Sequence, residues 1–258
     1  MNKLIKAKVI LNIFLSFQAF ALKGKSKFNS RVSNVQSYVY YGQKKFQLTQ
    51  EMAKNQLFNG SKEIRFISKE YRKPPAGQKF AYPINGKRTA SFKKGNFLSS
   101  HHPLDLAILS NGFFVLEGGV LTRNGEFEIK DGVLINKIYS LPVLDQSLEP
   151  ISVDSHVFPF QIKVQKDGAI LIKGSQVGKL KIVTLGPDYE SLSNGCFLCE
   201  NVEDEEHVHI HQGMLEESSI DSASIAQRSA QESLAIKEGI SIITSDNSDF
   251  AKNSDNLF

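Results

Sequence analysis

The chain has 258 residues, 41% hydrophobic and 22% charged, which is the composition of a folded protein, long enough for one large domain or two small ones. Two cysteines exclude a disulfide framework, so the fold must rest on an apolar core. The formal charge of +4 conceals 20 Lys/Arg against 3 Asp/Glu in residues 1–100, and 11 against 24 in residues 101–258. No arginine-rich run with interleaved aromatics points to nucleic acid, and the basic stretch has an acidic counterpart in the same chain or the next.

Three readings fit the first 22 residues. Lys3, Lys6 and Lys8 precede an apolar stretch over 9–22 that ends in Ala19-Phe20-Ala21, the pattern of a secretion signal. The stretch is interrupted by Asn12, Ser16 and Gln18 and is too short to span a bilayer. It also fits an ordinary amphipathic segment, or an over-extended start of the reading frame. Residues 23–36 are basic and polar and read as a linker. Tyr38, Tyr41, Leu48 and Met52 fall on a/d-type positions, which predicts a helix over 37–59 closed by Asn59-Gly60. Residues 61–79, strongly basic and containing Pro74-Pro75, read as an extended crossing segment.

From about Phe80 the pattern becomes short strands. Ser110-Asn111-Gly112 separates two apolar runs, 106–109 and 113–116, and reads as a turn between paired strands, with one of Phe113 and Phe114 in the core and the other outward or under the neighbouring segment. Asp131-Gly132 and Asp167-Gly168 each sit between apolar strands, two hairpin signals. Residues 180–185, 196–199 and 207–211 read as further strands. After Gly213 the pattern turns helical, with Glu216, Glu217 and Asp221 near the first turn, Ser219 or Asp221 as cap, and a frayed tail over 245–258. The fold expected is mainly β: a signal-like or over-extended start and linker (1–36), an N-terminal helix and crossing segment (37–79), a central antiparallel β domain, sandwich or open barrel (80–211), and a C-terminal helix with its tail (212–258).

One cluster has ligand chemistry. Cys196 and Cys199 form a C-x-x-C pair followed by His207, His209 and His211, and thiolates and imidazoles are good zinc ligands. A single C-x-x-C with this histidine spacing is not a standard zinc pattern, and the same residues read as ordinary strand and surface positions. No nucleophile elbow, phosphate loop or dinucleotide fingerprint is present. Asp105, near His101 and His102, reads as taking backbone hydrogen bonds in a bend, and Arg123 as a structural or subunit-contact residue. No catalytic residue and no cofactor is assigned.

Several blocks together carry a resemblance. His102-Pro103-Leu104-Asp105-Leu106, then Asn111-Gly112-Phe113-Phe114; Leu121-Thr122-Arg123-Asn124-Gly125-Glu126-Phe127; Asp167-Gly168-Ala169 with Gly178; and Gln212-Gly213-Met214-Leu215-Glu216 occur in this order. They are similar to the blocks of the flagellar basal-body rod and hook protein family, over roughly residues 37–244. The short length and lack of a large inserted domain resemble the proximal-rod members most, the distal-rod members next and the hook members less. Several features depart from the family: the matching segment starts near residue 37, the asparagine box survives only as Asn55, Leu57 and Asn59, and Leu234-Ala235-Ile236 replaces the usual arginine-alanine-tyrosine.

The resemblance implies a non-enzymatic subunit of the periplasm-spanning rod, used in flagellum-dependent motility. Its partners would be other copies of itself and other rod proteins, with transient passage through the type III export apparatus. Neither nucleic acid nor stable membrane insertion is implied. A reading of another class is a secreted β-domain binding module, zinc-bearing or not, that no longer polymerises.

Overall fold

Two long helices enclose a run of short antiparallel strands in the chain order. The computed structural model describes residues 26–67, 70–72, 82–84, 86–154 and 156–255. The signal-like segment and Pro74-Pro75 lie outside the described residues. The first helix spans Ser26–Asn55 and the last Ser222–Asp255. Residues 26–36, read as linker, are therefore helical, and the helix stops four residues before Asn59, in a turn where Phe58 N–H bonds to Asn55 O. The tail expected to fray from 245 continues as helix to Asp255. No helix among the described residues is long and apolar enough to cross a membrane.

The chain forms two compact units by contact. The larger comprises Gln47–Ile67 and Lys87–Ser229. Its main sheet is six-stranded and antiparallel, in the order Tyr189–Ser191, Phe197–Cys199, Val120–Thr122, Phe113–Leu116, Ile182–Leu185, Val202–Asp204. Two three-stranded sheets and three two-stranded pairs complete it. One three-stranded sheet is the hairpin at Asp131-Gly132, Phe127–Lys130 against Val133–Asn136, extended by Leu141–Pro142. The other is Ile162–Val164, Ala169–Ile172 and Ser175–Lys179, turning at Asp167-Gly168. Asp131 and Gly132 both have positive φ, 52° and 76°, which a two-residue hairpin matched to strand twist requires. Strands begin at Glu63, well before Phe80: Glu63–Ile67 pairs with Lys87–Ser91, and Glu70–Arg72 with Tyr82–Ile84, so the described residues of the basic segment include strand.

The link at Ser110-Asn111-Gly112 is not a hairpin. Leu106–Ile108 pairs with Ile210–Gln212, whereas Phe113–Leu116 pairs with Val120–Thr122 and Ile182–Leu185, so the turn carries the chain from one sheet into another. Gly112 does take the expected positive φ, 133°. Phe113 and Phe114 point to opposite faces, yet both are buried, because each face of this strand has its own core. On one side Phe114 and Leu116 pack with Phe127, Leu134, Val143 and Ile170. On the other, Phe113 and Val115 pack with Leu121, Phe197 and, from the helices, Leu48, Met52 and Ile225. A strand covered on both faces loses alternation and reads as a continuous apolar run, as Phe113-Phe114-Val115-Leu116 does.

The smaller unit contains the first helix up to Phe46, the pair Glu70–Arg72 with Tyr82–Ile84, and the last helix from Ala230. Here the helices meet at two glycines. A Cβ on Gly239 would stand 2.6 Å from Val39 Cγ2, and one on Gly42 would stand 3.1 Å from Ile236 Cγ1. The rising number on one helix meets the falling number on the other, so within this unit they run antiparallel. Val39 is buried there, while Leu234 is exposed.

Candidate functional site

The motif residues of the larger unit converge where the chain leaves the first helix and where it approaches the last. Strand Met214–Glu216 pairs with Phe97–Ser99 and places Glu216 inside the unit. Glu216, which its neighbours in sequence place in or near the first turn of a helix, lies in a strand, and its carboxylate has no exposed surface. Lys62 Nζ donates to Glu216 Oε1 at 2.5 Å, and Arg123 Nε and Nη2 lie 2.7 and 2.6 Å from Oε2. Gly95 N–H supplies a further donor at 3.0 Å.

Arg123 makes four hydrogen bonds. Besides the one from Nε to Glu216 it donates to the carbonyls of Ile108, Ser110 and Gly112 at 2.6, 3.1 and 2.7 Å. It thereby fixes the crossing turn whose glycine the sequence singled out. Lys62 also donates to Lys93 O at 2.9 Å. Burial pushes the Lys62 ammonium below the ordinary lysine range; Glu216 opposes this, and Arg123 and Lys94 add to it. The backbone closes the same junction, with Gly60 N–H on Glu216 O at 2.7 Å and Ser219 N–H on Ser61 O at 3.0 Å. Gly60 has φ 73°, and a Cβ there would meet the Arg123 carbonyl carbon at 2.4 Å.

A second network, centred on Asn124 and reaching the Glu126 carboxylate, adjoins it. Asn124 Oδ1 accepts from Glu126 N–H and Asn136 Nδ2, and its Nδ2 donates to Asn59 O. Thr122 Oγ1 accepts from Asn124 N–H at 3.0 Å. Gly125 is required by approach: a Cβ would lie 1.7 Å from Leu106 O. Gln212 ties three segments, donating to Pro103 O and Ile162 O and accepting from Val164 N–H. Gly213 N–H bonds to Asp105 O, Leu104 enters the first core, and Leu215 sits half-buried opposite Leu98. Gly168 turns its hairpin at φ 89°, and Gly178 lies in strand Ser175–Lys179, where a Cβ would stand at an ordinary contact distance of 3.8 Å from the Ile151 side chain.

One expectation changes. Asp105 does not take backbone hydrogen bonds at Oδ1; this buried oxygen has no hydrogen-bond partner and stands 3.6 Å from His102 Nδ1 and 3.8 Å from Lys137 Nζ. The cysteines and histidines are not brought together. Cys196 is buried, its thiol donating to Ser193 O, and burial pushes its pKa up. Cys199 donates to Asn201 O. His211 lies in the strand paired with Leu106–Ile108, and His207 and His209 precede that strand on an open cleft. Among the described residues no group of three or more His, Cys, Asp or Glu is placed to hold a metal ion. Lys62 and Asn136 were missed, since neither carries a local signal: one is a lysine among many, the other a strand residue.

No protein-family model matches the chain. It is similar to the flagellar basal-body rod protein FlgF of Mesorhizobium japonicum, 29% identical over 154 residues, covering 56% of this chain and 63% of that protein. It is also similar to FlgF of Rhizobium meliloti, 30% identical over 157 residues, covering 55% and 62%. The chain thus spans less than two thirds of the length of these curated relatives. The resemblance read from the motif blocks is to flagellar rod proteins, and within them to FlgF.

Proposed function

We propose that this chain is a structural, non-enzymatic subunit of the bacterial flagellar basal-body rod, of the FlgF kind, located in the basal body and serving flagellum-dependent motility. The observation that carries the reading is the Lys62–Glu216–Arg123 junction together with the similarity to FlgF. Residues from several of the blocks that resemble the rod family build one buried fastening. A shaft subunit needs its terminal segments held firmly to its β structure, because its contacts with neighbours must propagate without closing into a ring.

In this reading the terminal helices pack with those of neighbouring subunits of its own and other rod proteins, and the β structure faces outward. The subunit passes through the type III export apparatus before assembly. The division at 1–36, 37–79, 80–211 and 212–258 is the accompanying proposal for how the chain is partitioned in the shaft. The test is to delete the gene and complement it with an epitope-tagged copy. Basal bodies purified from the complemented cells should contain the tagged chain in the rod fraction, and the deletion should abolish motility. A tagged chain found free in the periplasm or medium, with basal bodies intact without it, would overturn the reading.

A further inference from the structure

The junction is electrically unbalanced. Lys62 and Arg123 are 1% and 4% exposed, and both share the single buried carboxylate of Glu216. Buried charges are costly unless paired, and here two cations face one anion. Above them opens a cleft of about 170 Å3, lined by Lys62, Lys94, Arg123, Asn111, Thr184 and the rings of Phe92 and Phe113, among others. At about 30 Å3 per water, it has room for a phosphate or carboxylate group.

The available donors can be counted. Arg123 makes four hydrogen bonds within the fold, and its Nη2 also lies 2.6 Å from Glu216 Oε2. Lys62 uses two of its three N–H groups, on Glu216 Oε1 and Lys93 O. Lys94 uses one, on Leu109 O at 2.6 Å. Phe113, nearly buried, and the half-exposed Phe92 supply low-dielectric walls that strengthen any charge pairing inside.

We propose that this cleft is an anion site, in which a carboxylate or phosphate-sized oxyanion is held between the Lys62 and Lys94 ammonium groups. The anion supplies the negative charge that the buried pair of cations lacks. Its source is either a free oxyanion or a carboxylate side chain of a second copy, whose residues 101–258 carry the excess of acid. The direction of the Lys62 pKa agrees: burial, Arg123 and Lys94 all lower it, Glu216 alone is the counter-charge, and an anion in the cleft would raise it again.

The test uses the full chain with 15N-labelled lysine, following the Lys62 Nζ resonance and its pKa. Inorganic phosphate and, separately, acetate are titrated at low protein concentration, and protein concentration is then raised without added anion. Saturable binding should raise the Lys62 pKa by about one unit, which by linkage is about tenfold tighter anion binding to the protonated form. Saturation by phosphate or acetate assigns a free oxyanion. A pKa rise seen only with protein concentration, together with self-association, assigns a carboxylate of a second copy. In either case Lys94→Ala, a surface change that leaves the fold intact, should weaken the effect at least several-fold, and Lys62→Met should abolish anion-dependent stabilisation in thermal melts. A Lys62 pKa unmoved in both arms, or an effect unchanged in Lys94→Ala, would overturn the proposal.

Discussion

Phe113 and Phe114 are consecutive on one strand and fill two different cores. Phe114 stacks edge-on against Phe127 at 5.0 Å between centroids, and Phe113 packs edge-on against Phe197 at 5.5 Å. The strand is therefore a partition between the first core, made by the β sheets, and the second, which the helices help to close.

Truncating either ring should cost about the same. A buried Phe→Ala change removes on the order of 3–5 kcal/mol, and both side chains are nearly inaccessible, at 6% and 0%. Denaturant unfolding of Phe113→Ala and Phe114→Ala should give comparable losses. A near-neutral result for Phe113→Ala would mean that its face of the sheet is open, contrary to the second core.

Glycine positions separate by what surrounds them, not by their place in a motif. Gly125 and Gly178 both belong to the family-like blocks. A Cβ at Gly125 would stand 1.7 Å from a backbone oxygen, whereas at Gly178 the nearest atoms are 3.8 Å away on the side chain of Ile151. Gly125→Ala must push backbone aside and should cost about 3 kcal/mol or more. Gly178→Ala should stay within about 1 kcal/mol. Thermal melts of the two variants would distinguish these outcomes, and equal losses would contradict the close approach at Gly125.

Local chemistry made the hairpins legible and long-range pairing hid the rest. Asp131-Gly132 and Asp167-Gly168 turn as their residue types dictate, because the geometry is settled within a few residues. Ser110-Asn111-Gly112 carries the same residue types and does something else, because Arg123 draws its carbonyls inward and the flanking strands find partners in distant segments. Glu216 was read as a helix-dipole residue from its neighbours in sequence. Its actual partner, Lys62, is 154 residues away, and no periodicity encodes that contact. Of the cysteines and histidines only Cys199 and His211 lie in strands, one in the main sheet and the other paired with Leu106–Ile108, so nearness in sequence does not gather them.

The last helix has its cap at Asp221, where Oδ1 accepts from Ala223 N–H at 3.3 Å and Oδ2 from Ser224 N–H at 3.0 Å. The Ser224 hydroxyl and the two amides hold this carboxyl below the usual aspartate range. A folded-state pKa below the unfolded one contributes stability above the unfolded value, and this is lost as pH falls through the folded value. Asp221→Ala should therefore lower the melting temperature at pH 7, and the difference from the parent should vanish once pH is below the folded pKa. A difference that persisted unchanged at low pH would show that the carboxylate charge is not what the cap uses.

Removing the charge of Glu216 is the sharpest test of the junction. Glu216→Gln keeps the shape but leaves Lys62 and Arg123 facing each other in the interior with no counter-ion, a situation that typically costs about 3–5 kcal/mol. Part of that loss is the repulsion now felt by Lys62, so Lys62→Met should recover some of it when combined with Glu216→Gln. The double variant should thus be less destabilised than the sum of the singles, as residues in one network require. Arg123→Lys should not substitute, because an ammonium offers three donors where the guanidinium uses four, on Glu216, Ile108, Ser110 and Gly112. A denaturation cycle over the parent, both singles and the double would measure the coupling. Strict additivity, or a stable Arg123→Lys variant, would show that the three side chains are neighbours without being a unit.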